Sequence, residues 1–519
     1  MNENEKFWIK ESHKLKWFKK PTTAIFKNKK NKNTWFSDGL FNVYENCITN
    51  NLKKNLKNKV AIICIDGDKR AKQFTYKEID EKVNDFCIYL KSFNQNIKTA
   101  LIHASASITS VISMLSFSKL GIHFSVVFED LPIEAINLRI NLLKPDLIIT
   151  RSINHTSIEI MKCIKKNNLF SCKIVSGSEK NNKLCYYYNF NKKIKKKNLI
   201  INNKIIKGDK PLFTLFTSGS TGMPKGIVHS SAGYFLYSRY TSVQQFGMNK
   251  NSIILTASDA GWINGHTYAL FSPLSLGATT ILLEKPMTLI NYLFLEKILK
   301  KYNVTILYLP VTLIRLIKSI IPQNKKIYNH KIKALGSMGE PLAGSVAQWF
   351  SKLFFKKNKA IVNTYFQTET GGIILSPKYN ENNDKSYGTV GKPVNKYLKL
   401  NFPKKKNKSF NLEIISKWPG CMIDVLNGDK QWNKYWKKNK FQLFDIGKLN
   451  NNNNLIVNGR TDDVINIRGH RIGSEEIESI VLKINHIAET SAIPIENELE
   501  GANLIVFIVT KKRNIEKEV

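Results

Sequence analysis

The chain has 519 residues, and 42% of them are hydrophobic. A chain of this length is too long for a single core and predicts two or three globular domains. No apolar run reaches the roughly 18 residues of a membrane span, and the charged N-terminus lacks a signal-peptide core, so we expect no membrane association. Seven scattered cysteines without a Cys-x-x-Cys pair indicate a reducing cytoplasm rather than a disulfide or zinc framework.

The formal net charge is +40, from 80 Lys and Arg against 40 Asp and Glu. Nucleic-acid binding is one interpretation, and a composition biased towards Lys, Asn and Ile is the other. The lysine runs at 27–33, 191–198 and 404–408 lie between patterned segments and do not alternate with aromatic residues, unlike a single-strand binding platform. We therefore expect no specific nucleic-acid partner.

Residues 1–60 are aromatic and basic, and we expect them to pack as an arm on a larger domain. Over residues 61–460, short apolar strands alternate with helical stretches, for example the predicted helix Thr75–Phe93 and the strand Thr99–His103. This alternation predicts an α/β domain of mostly parallel sheets covered by helices. The polar, Lys/Asn-rich residues 151–210 are interpreted as a peripheral insertion.

The pattern changes near Arg460. Residues 461–519 predict the beginning of a small α+β domain, with a helix over Gly473–Lys483 and strands over Glu489–Pro494 and Asn503–Thr510.

The stretch 214–226, TLFTSGSTGMPKG, carries the most chemistry. The apolar residues Pro211–Phe216 predict a buried strand before it, and an amphipathic helix is expected from about Ser230. Between them, glycines allow close backbone approach, hydroxyl groups and amides donate hydrogen bonds, and Lys225 adds a positive charge. We therefore predict a phosphate-binding loop, although it lacks the Gly-Lys-Ser/Thr of a P-loop. A merely flexible loop would leave the buried strand and Lys225 unexplained.

This loop resembles that of the AMP-forming adenylate ligases, the superfamily of acyl-CoA synthetases, luciferases and peptide-synthetase adenylation domains. Further stretches match the superfamily in the same order, at 258–268, 337–341, 363–372, 418–420, 444–447, 459–463 and 469–471. The particular residues of these stretches, and the Trp/Phe-rich residues 35–48 of the arm, resemble the acetyl-CoA synthetase branch of the superfamily.

The resemblance implies an acid–thiol ligase. Such an enzyme joins a short carboxylate, here acetate or propionate, to the α-phosphate of ATP with loss of pyrophosphate, and then transfers the acyl group to CoA. It implies ATP, CoA and Mg²⁺ as cofactors, small molecules as partners, a large adenylate-forming domain over 61–460 and a mobile C-terminal domain over 461–519.

The resemblance also implies roles for single residues. Glu369 would hold Mg²⁺, Asp445 would accept both ribose hydroxyls, and Arg460 would pair with ribose or phosphate groups. His266 is either a structural or a catalytic histidine. The catalytic set is Lys225, Thr368, Glu369 and Arg471. The ATP- and AMP-binding set is Thr217, Ser218, Gly219, Ser220, Thr221, Gly222, Gly339, Glu340, Pro341, Asn363, Thr364, Tyr365, Phe366, Gln367, Thr368, Asp445, Arg460 and Arg471. The acyl pocket is Trp262, Ile263, Asn264, Met338 and Phe366, the CoA contacts are Arg468 and Gly469, and the hinge is Asp462.

Five positions depart from the superfamily pattern. Phe444 replaces a Gly before the ribose carboxylate and would be strained if the turn requires a positive φ. Asn363 stands at the acid on the adenine side. In the acyl pocket, Phe366 replaces Trp, Met338 replaces Val and Asn264 replaces Thr, which leaves the depth of the pocket open.

In the superfamily, the small C-terminal domain is about twice as long as the part of it in this chain, which ends at Val519. The superfamily domain carries a catalytic lysine near its end. From this we expect an adenylation half-reaction without its main cation. Two alternatives to a complete ligase follow: a nucleotide-binding homologue with weak or no adenylation, and an enzyme whose lysine comes from a partner chain.

Overall fold

The computed structural model describes most of the chain. Outside the description lie residues 152–154, 170, 178–184, 193–198, 218–223, 323, 328–330, 357–358, 382–386, 404–407, 427, 462–463, 468–469, 474–476, 479–480, 483, 485, 498–500 and 511–519, and also the side chains of 155–157, 464–467, 470–473, 494, 496–497 and 501–503.

One large sheet, sheet A, has eight strands within the described part of the chain. Six run parallel, the seventh is antiparallel to them, and the eighth, at the edge, is antiparallel to the seventh. In spatial order the strands are Tyr186–Tyr187, Lys173–Ser176, Leu147–Thr150, Thr99–His103, His123–Val127, Pro211–Thr217, Lys225–Ser230 and Asp424–Leu426.

A second large sheet, sheet B, has seven strands by the same criterion, six parallel and one antiparallel. Their order is Val362–Asn363, Ala334–Met338, Ile306–Pro310, Ile253–Thr256, Thr279–Leu283, Val60–Ile65 and Ala71–Thr75. The central strands are continuous apolar runs because helices cover both faces of such a sheet, and every residue of Thr279–Leu283 is buried.

The helices alternate with these strands as the sequence predicts. The predicted capping box is present, with Glu78 N donating to Thr75 Oγ1 at 3.2 Å and Thr75 N donating to Glu78 Oε2 at 2.7 Å. The helices of the two-sheet region are Tyr76–Lys91, Ile108–Leu120, Ile133–Leu143, His155–Lys166, Ser231–Phe246, Ile263–His266, Thr267–Phe271, Ser272–Ser275, Pro286–Ile290, Tyr292–Lys301, Val311–Ile320, Gly344–Phe354, Thr368–Thr370 and Asp429–Tyr435. The mostly parallel α/β architecture is therefore confirmed.

An antiparallel sheet follows, formed by Phe410–Ile414, Lys440–Leu449, Trp436–Lys437 and Leu455–Arg460. Smaller pairs are Ile25–Lys27 with Asn33–Trp35, Leu40–Phe41 with Ile206–Lys207, and Leu375–Ser376 with Lys392–Pro393. The C-terminal residues form two hairpins, Val464–Ile467 with His470–Gly473 and Ile487–Asn497 with Gly501–Thr510. Most of the predicted helix Gly473–Lys483 lies outside the described residues.

The structure corrects three local expectations. The phosphate loop is followed by a strand, Lys225–Ser230, before the helix begins. That helix, Ser231–Phe246, is buried on nearly all sides rather than amphipathic, because its hydroxyl groups find partners inside the protein. Residues 151–210 are more than an insertion, since Lys173–Ser176 extends sheet A beside Leu147–Thr150.

The N-terminal arm packs closely on this core. It contains the helices Glu3–Ser12, Glu45–Thr49 and Asn50–Lys53. Trp8 is 1% exposed and contacts Tyr237 and Tyr240, with ring centroids 5.7 and 5.1 Å apart. In the arm's hairpin, the buried Lys32 forms ion pairs with Asp424 at 2.5 Å and Asp429 at 3.0 Å. At least one lysine of the 27–33 run is therefore buried and binds the arm to the rest of the domain through ion pairs.

Among the described residues, no helix combines the length and the apolar character needed to cross a bilayer.

Candidate active site

A cavity of about 280 Å³ lies where sheet B meets the antiparallel sheet. The loops after two neighbouring parallel strands of sheet B form one wall, and strands of the antiparallel sheet form another. The lining residues are Gly339, Glu340, Pro341, Thr364, Tyr365, Phe366, Gln367, Val390, Asp445, Val457, Gly459 and Arg460. Of these, Val390 and Val457 belong to no motif and Gly459 was recognised only as part of the 459–463 motif, whereas all the others were predicted to bind nucleotide.

Gly339 opens the cavity on the side of sheet B. It follows the strand Ala334–Met338 and has a φ of +91°, which an L-residue adopts only with strain. A Cβ at this position meets no described atom within 4 Å, so the backbone borders open space. The next residue, Glu340, is held outward by Thr312 Oγ1 at 2.5 Å and by Arg315 Nη1 at 3.0 Å.

Asp445 is the buried carboxylate of the cavity. Its Oδ2 accepts hydrogen bonds from the Tyr365 hydroxyl and from Gln367 Nε2, the latter at 2.6 Å. Its Oδ1 lies 3.9 Å from Arg460 Nη1, the residue paired with it across the two strands. One carboxylate oxygen is thus fixed by the protein, while the other lies beside a half-exposed guanidinium at the cavity wall.

Burial raises the pKa of Asp445 to about 6, and the hydrogen bond from Tyr365 and the charge of Arg460 oppose this rise only in part. Asp445 is therefore mostly ionised at neutral pH and mostly protonated below pH 6.

Phe444 adopts the strained, positive-φ backbone conformation that was expected if the turn requires it. Its φ is +55°, in the left-handed region that costs a non-Gly residue roughly 1–2 kcal/mol. Its carbonyl accepts a hydrogen bond from Thr461 N at 2.8 Å, and its ring packs edge-on against Tyr435 at 5.4 Å. These contacts hold the strained residue beside Asp445.

Glu369 is buried in the short helical turn Thr368–Thr370. The hydroxyl of Tyr435 donates a 2.5 Å hydrogen bond to Glu369 Oε1, and Lys225 Nζ donates to the same hydroxyl at 3.5 Å. Tyr435, which no sequence motif indicated, therefore connects Glu369 to the lysine of the predicted phosphate loop. The pKa of Tyr435 is raised far above its ordinary value by burial and by the nearby Glu369, so Tyr435 remains a donor.

The central part of the phosphate loop, residues 218–223, falls outside the described residues, so the roles of Ser218, Gly219, Ser220, Thr221 and Gly222 stay predictions. Its two ends are described: Thr217 and Lys225 are direct partners across the antiparallel strands. The buried Thr217 Oγ1 has no hydrogen-bond partner in the described structure. The loop thus leaves and re-enters the sheet at adjacent positions, next to Tyr435 and Glu369.

The predicted acyl-pocket residues are only partly brought together. Phe366 lines the cavity, Met338 directly precedes Gly339 and is buried, and Ile263 and Asn264 are buried in the neighbouring short helix. Trp262 instead is 57% exposed, packs against Phe128 at 5.3 Å, and does not line the cavity.

The side-chain amide of Asn363 forms hydrogen bonds with other residues of the protein. Its Nδ2 donates to Thr389 O and its Oδ1 accepts from Ser337 Oγ, both at 2.9 Å. His266 is fully buried, and its ring lies 4.5 Å from that of Phe213. Burial lowers the pKa of His266 to about 3, so it is neutral and its environment is that of a structural residue.

The remaining predictions lie towards the C-terminus. The hinge Asp462 and the CoA contacts Arg468 and Gly469 are outside the described residues. Arg471 is described only in its backbone, in the strand His470–Gly473.

Comparison with known proteins shows which family the chain belongs to. The family model described as "AMP-binding enzyme" matches residues 49–401, and the model "Acetyl-coenzyme A synthetase N-terminus" matches residues 1–47. Acetyl-coenzyme A synthetases of Helicobacter pylori (strain G27) and Leptospira biflexa serovar Patoc (strain Patoc 1 / Ames) are each 31% identical to it. These alignments cover 97% and 98% of this chain and 80% and 82% of the relatives.

A solved structure of an anthranilate CoA ligase in complex with anthranoyl-AMP has the same fold. Its TM-score is 0.77 at 16% sequence identity, over 92% of this chain and 88% of that one.

The chain belongs to the AMP-binding enzyme family, and it has the fold of the adenylate-forming ligases. Within that family it is of the acetyl-CoA synthetase type, an AMP-forming acid–thiol ligase.

Proposed function

We propose that this ligase activates a short-chain carboxylate, acetate or propionate, with ATP, releases pyrophosphate, and transfers the acyl group from acyl-AMP to CoA. The observation that carries the proposal is the cavity at Gly339, which gathers Asp445, Arg460 and the 364–367 loop beside buried Glu369. The short acyl chain follows from Phe366, whose ring forms part of the cavity wall.

In this proposal the buried carboxylate binds the ribose. Asp445 Oδ1 is directed away from the two fixed donors and accepts the ribose hydroxyls, and Arg460 pairs with the ribose or the phosphate. Because Tyr365 and Gln367 hold Oδ2, the carboxylate is oriented before the nucleotide arrives.

The phosphates lie towards Lys225 and Thr368. Negative charge spreads over the phosphoryl oxygens as the carboxylate attacks and pyrophosphate leaves, and fixed donors and cations stabilise that charge. Lys225 is the cation in the described part of the loop, and Arg471 is proposed to join it.

Mg²⁺ fits this site through Glu369. One oxygen of Glu369 accepts the Tyr435 hydroxyl, and Mg²⁺ is commonly held by one or two carboxylates together with substrate phosphates. No cluster of three His, Cys, Asp or Glu exists in the part of the chain that the structure describes. We therefore propose that Glu369 would hold Mg²⁺ together with the phosphates of a bound nucleotide, where the ion would supply charge neutralisation.

The CoA contacts Arg468 and Gly469, the hinge Asp462 and the domain limits 61–460 and 461–519 are part of the proposal. A cytoplasmic location is proposed because all seven cysteines are free, and burial raises the pKa of thiols such as Cys64 and Cys87, to about 12 in both. A partner chain that supplies a lysine gains no support from the comparisons and is not proposed.

ATP–pyrophosphate exchange tests the proposal. The purified chain should catalyse exchange that depends on added acetate or propionate, and Asp445→Ala should weaken ATP binding. ATP binding without exchange for any carboxylate would instead establish the nucleotide-binding alternative, which the named relatives do not favour.

A further inference from the structure

The side chain of Asn264 is buried without satisfying its amide. Asn264 is 4% exposed, and neither Nδ2 nor Oδ1 has a hydrogen-bond partner among the residues that the structure describes. Leaving a buried donor and a buried acceptor unpaired costs about 1–3 kcal/mol for each group, so such a pair calls for an explanation.

The position of Asn264 relates this amide to the acyl end of the cavity. Asn264 and Tyr268 are four residues apart in the continuous helical run Ile263–His266 and Thr267–Phe271, so they share one face. On that face the ring of Tyr268 contacts the ring of Phe366 edge-on at 5.7 Å, and Phe366 lines the cavity. Asn264 therefore shares a helix face with the residue that packs against Phe366 in the cavity wall.

The neighbouring polar group on this face is already occupied. The hydroxyl of Tyr268 bonds Thr241 Oγ1 and accepts from Ile373 N, both at 2.8 Å. It is therefore engaged with Thr241 and Ile373, whereas the Asn264 amide has no hydrogen-bond partner among the described residues.

We propose that Asn264 is a specificity-determining residue that binds a hydroxyl group of the substrate's acyl chain. This inference rests on the proposed function and narrows its substrates to short hydroxycarboxylates. A hydroxyl is the smallest group that both donates to Oδ1 and accepts from Nδ2, so one substrate atom satisfies both halves of the amide. An unsubstituted acyl chain buries its methyl group against two unpaired polar atoms, and a site of that kind discriminates strongly against it.

Two isosteric pairs of acids test the proposal, glycolate against propionate and 3-hydroxypropionate against butyrate. In ATP–pyrophosphate exchange with the full chain, we expect kcat/KM to be at least about tenfold higher for the hydroxy acid in one pair. Asn264→Leu, which keeps the shape and removes both polar atoms, should reverse that preference.

Stability gives a second, independent measurement. If the amide is unpaired, Asn264→Leu should keep or raise the melting temperature of the ligand-free protein. The matched control is Asn51→Leu, because the buried Asn51 amide donates to Cys47 O at 2.8 Å and to Leu274 O at 2.7 Å. That variant should lower the melting temperature.

Equal or better use of propionate and butyrate would overturn the inference and leave the proposed function standing. A lower melting temperature for Asn264→Leu would also overturn it, since the amide would then have a protein partner. Loss of exchange with every acid, with ATP still bound, would remove the proposed function itself. The comparison of acids in the unaltered chain decides the question even if Asn264→Leu does not fold.

Discussion

The hydroxyl of Tyr435 donates to the carboxylate of Glu369 across 2.5 Å, and these two residues are 66 positions apart in the chain. Tyr435 ends the helix Asp429–Tyr435, whereas Glu369 lies in a turn beside the 364–367 loop. The hydrogen bond fixes the orientation of the carboxylate that is proposed to hold Mg²⁺, so Tyr435 is a positioning residue.

Tyr435→Phe should lower the adenylation rate about 10- to 100-fold, because hydrogen bonds to charged groups contribute about 1.5–3 kcal/mol. It should also raise the Mg²⁺ concentration needed for half-maximal rate. Exchange assays over a Mg²⁺ titration measure both effects, with Tyr292→Phe, outside the cavity, as the control. An unchanged Mg²⁺ requirement would show that Tyr435 serves only packing.

Adenosine should bind more tightly as pH rises through about 6. The pKa of Asp445 in the folded protein is about 6, and only the ionised carboxylate accepts both ribose hydroxyls. Adenosine has no ionisable group near neutral pH, so calorimetric titrations from pH 5 to 8 report on the protein. Because burial also raises the pKa of Asp259 to about 6, the control is Asp445→Asn, which should bind weakly and without an inflection.

The same shift affects stability with a defined sign. A carboxyl whose pKa rises from 3.8 to about 6 on folding makes the folded state less favourable as pH increases across that range. The melting temperature of Asp445→Asn relative to the original chain should therefore increase between about pH 4 and pH 6, and change little above it. A constant difference across this range would contradict the raised pKa.

At position 444, a glycine variant should be more stable than an alanine variant, which is the reverse of the usual order of stability. With φ at +55°, alanine suffers the left-handed strain and glycine does not, so Phe444→Gly should be about 1 kcal/mol more stable than Phe444→Ala. Chemical denaturation of the two variants measures this difference. At exposed Phe402, where φ is not positive, alanine should be as stable as glycine or more so.

Phe366→Gly should extend the range of accepted acids. The ring of Phe366 lines the cavity against Tyr268, so its removal makes room for a longer acyl chain. We expect the original chain to bind an acetyl-AMP analogue more tightly than an octanoyl-AMP analogue, and the variant to reverse this order. Trp262→Gly is the matched control, because Trp262 is 57% exposed and outside the cavity. Tighter octanoyl binding by the original chain would refute the role of Phe366.

The sequence predicts best where burial is continuous. The strand Thr99–His103 has the predicted bounds, since an apolar run between two helical layers leaves little ambiguity. Lys225–Ser230 was missed because a lysine, a glycine, a histidine and a serine interrupt its apolar residues. The buried helix after it carries Tyr and Ser residues whose inward partners no local pattern reveals.

The candidate site divides in the same way. Motif residues such as Gly339 and Asp445 meet in one cavity, as the ordered motifs imply. Tyr435 was missed because its importance depends on a partner distant in sequence. Trp262 belongs to the same motif as Ile263 yet is 57% exposed and outside the cavity, because sequence adjacency does not fix the direction of a side chain. The engagement of Asn363 with Ser337 and Thr389 likewise depends on strands that come together only in three dimensions.

The ion pairs of Lys32 bear on the timing of biosynthesis. Lys32 binds Asp424, which is 392 residues further along the chain, and Asp429 at the start of the helix that ends in Tyr435. A ribosome has to make more than four-fifths of the 519 residues before the arm's lysine meets its acidic partners. Lys32 is thus made early and paired late: the arm cannot form these ion pairs until Asp424 and the helix that ends in Tyr435, the hydrogen-bond donor to Glu369, have been made.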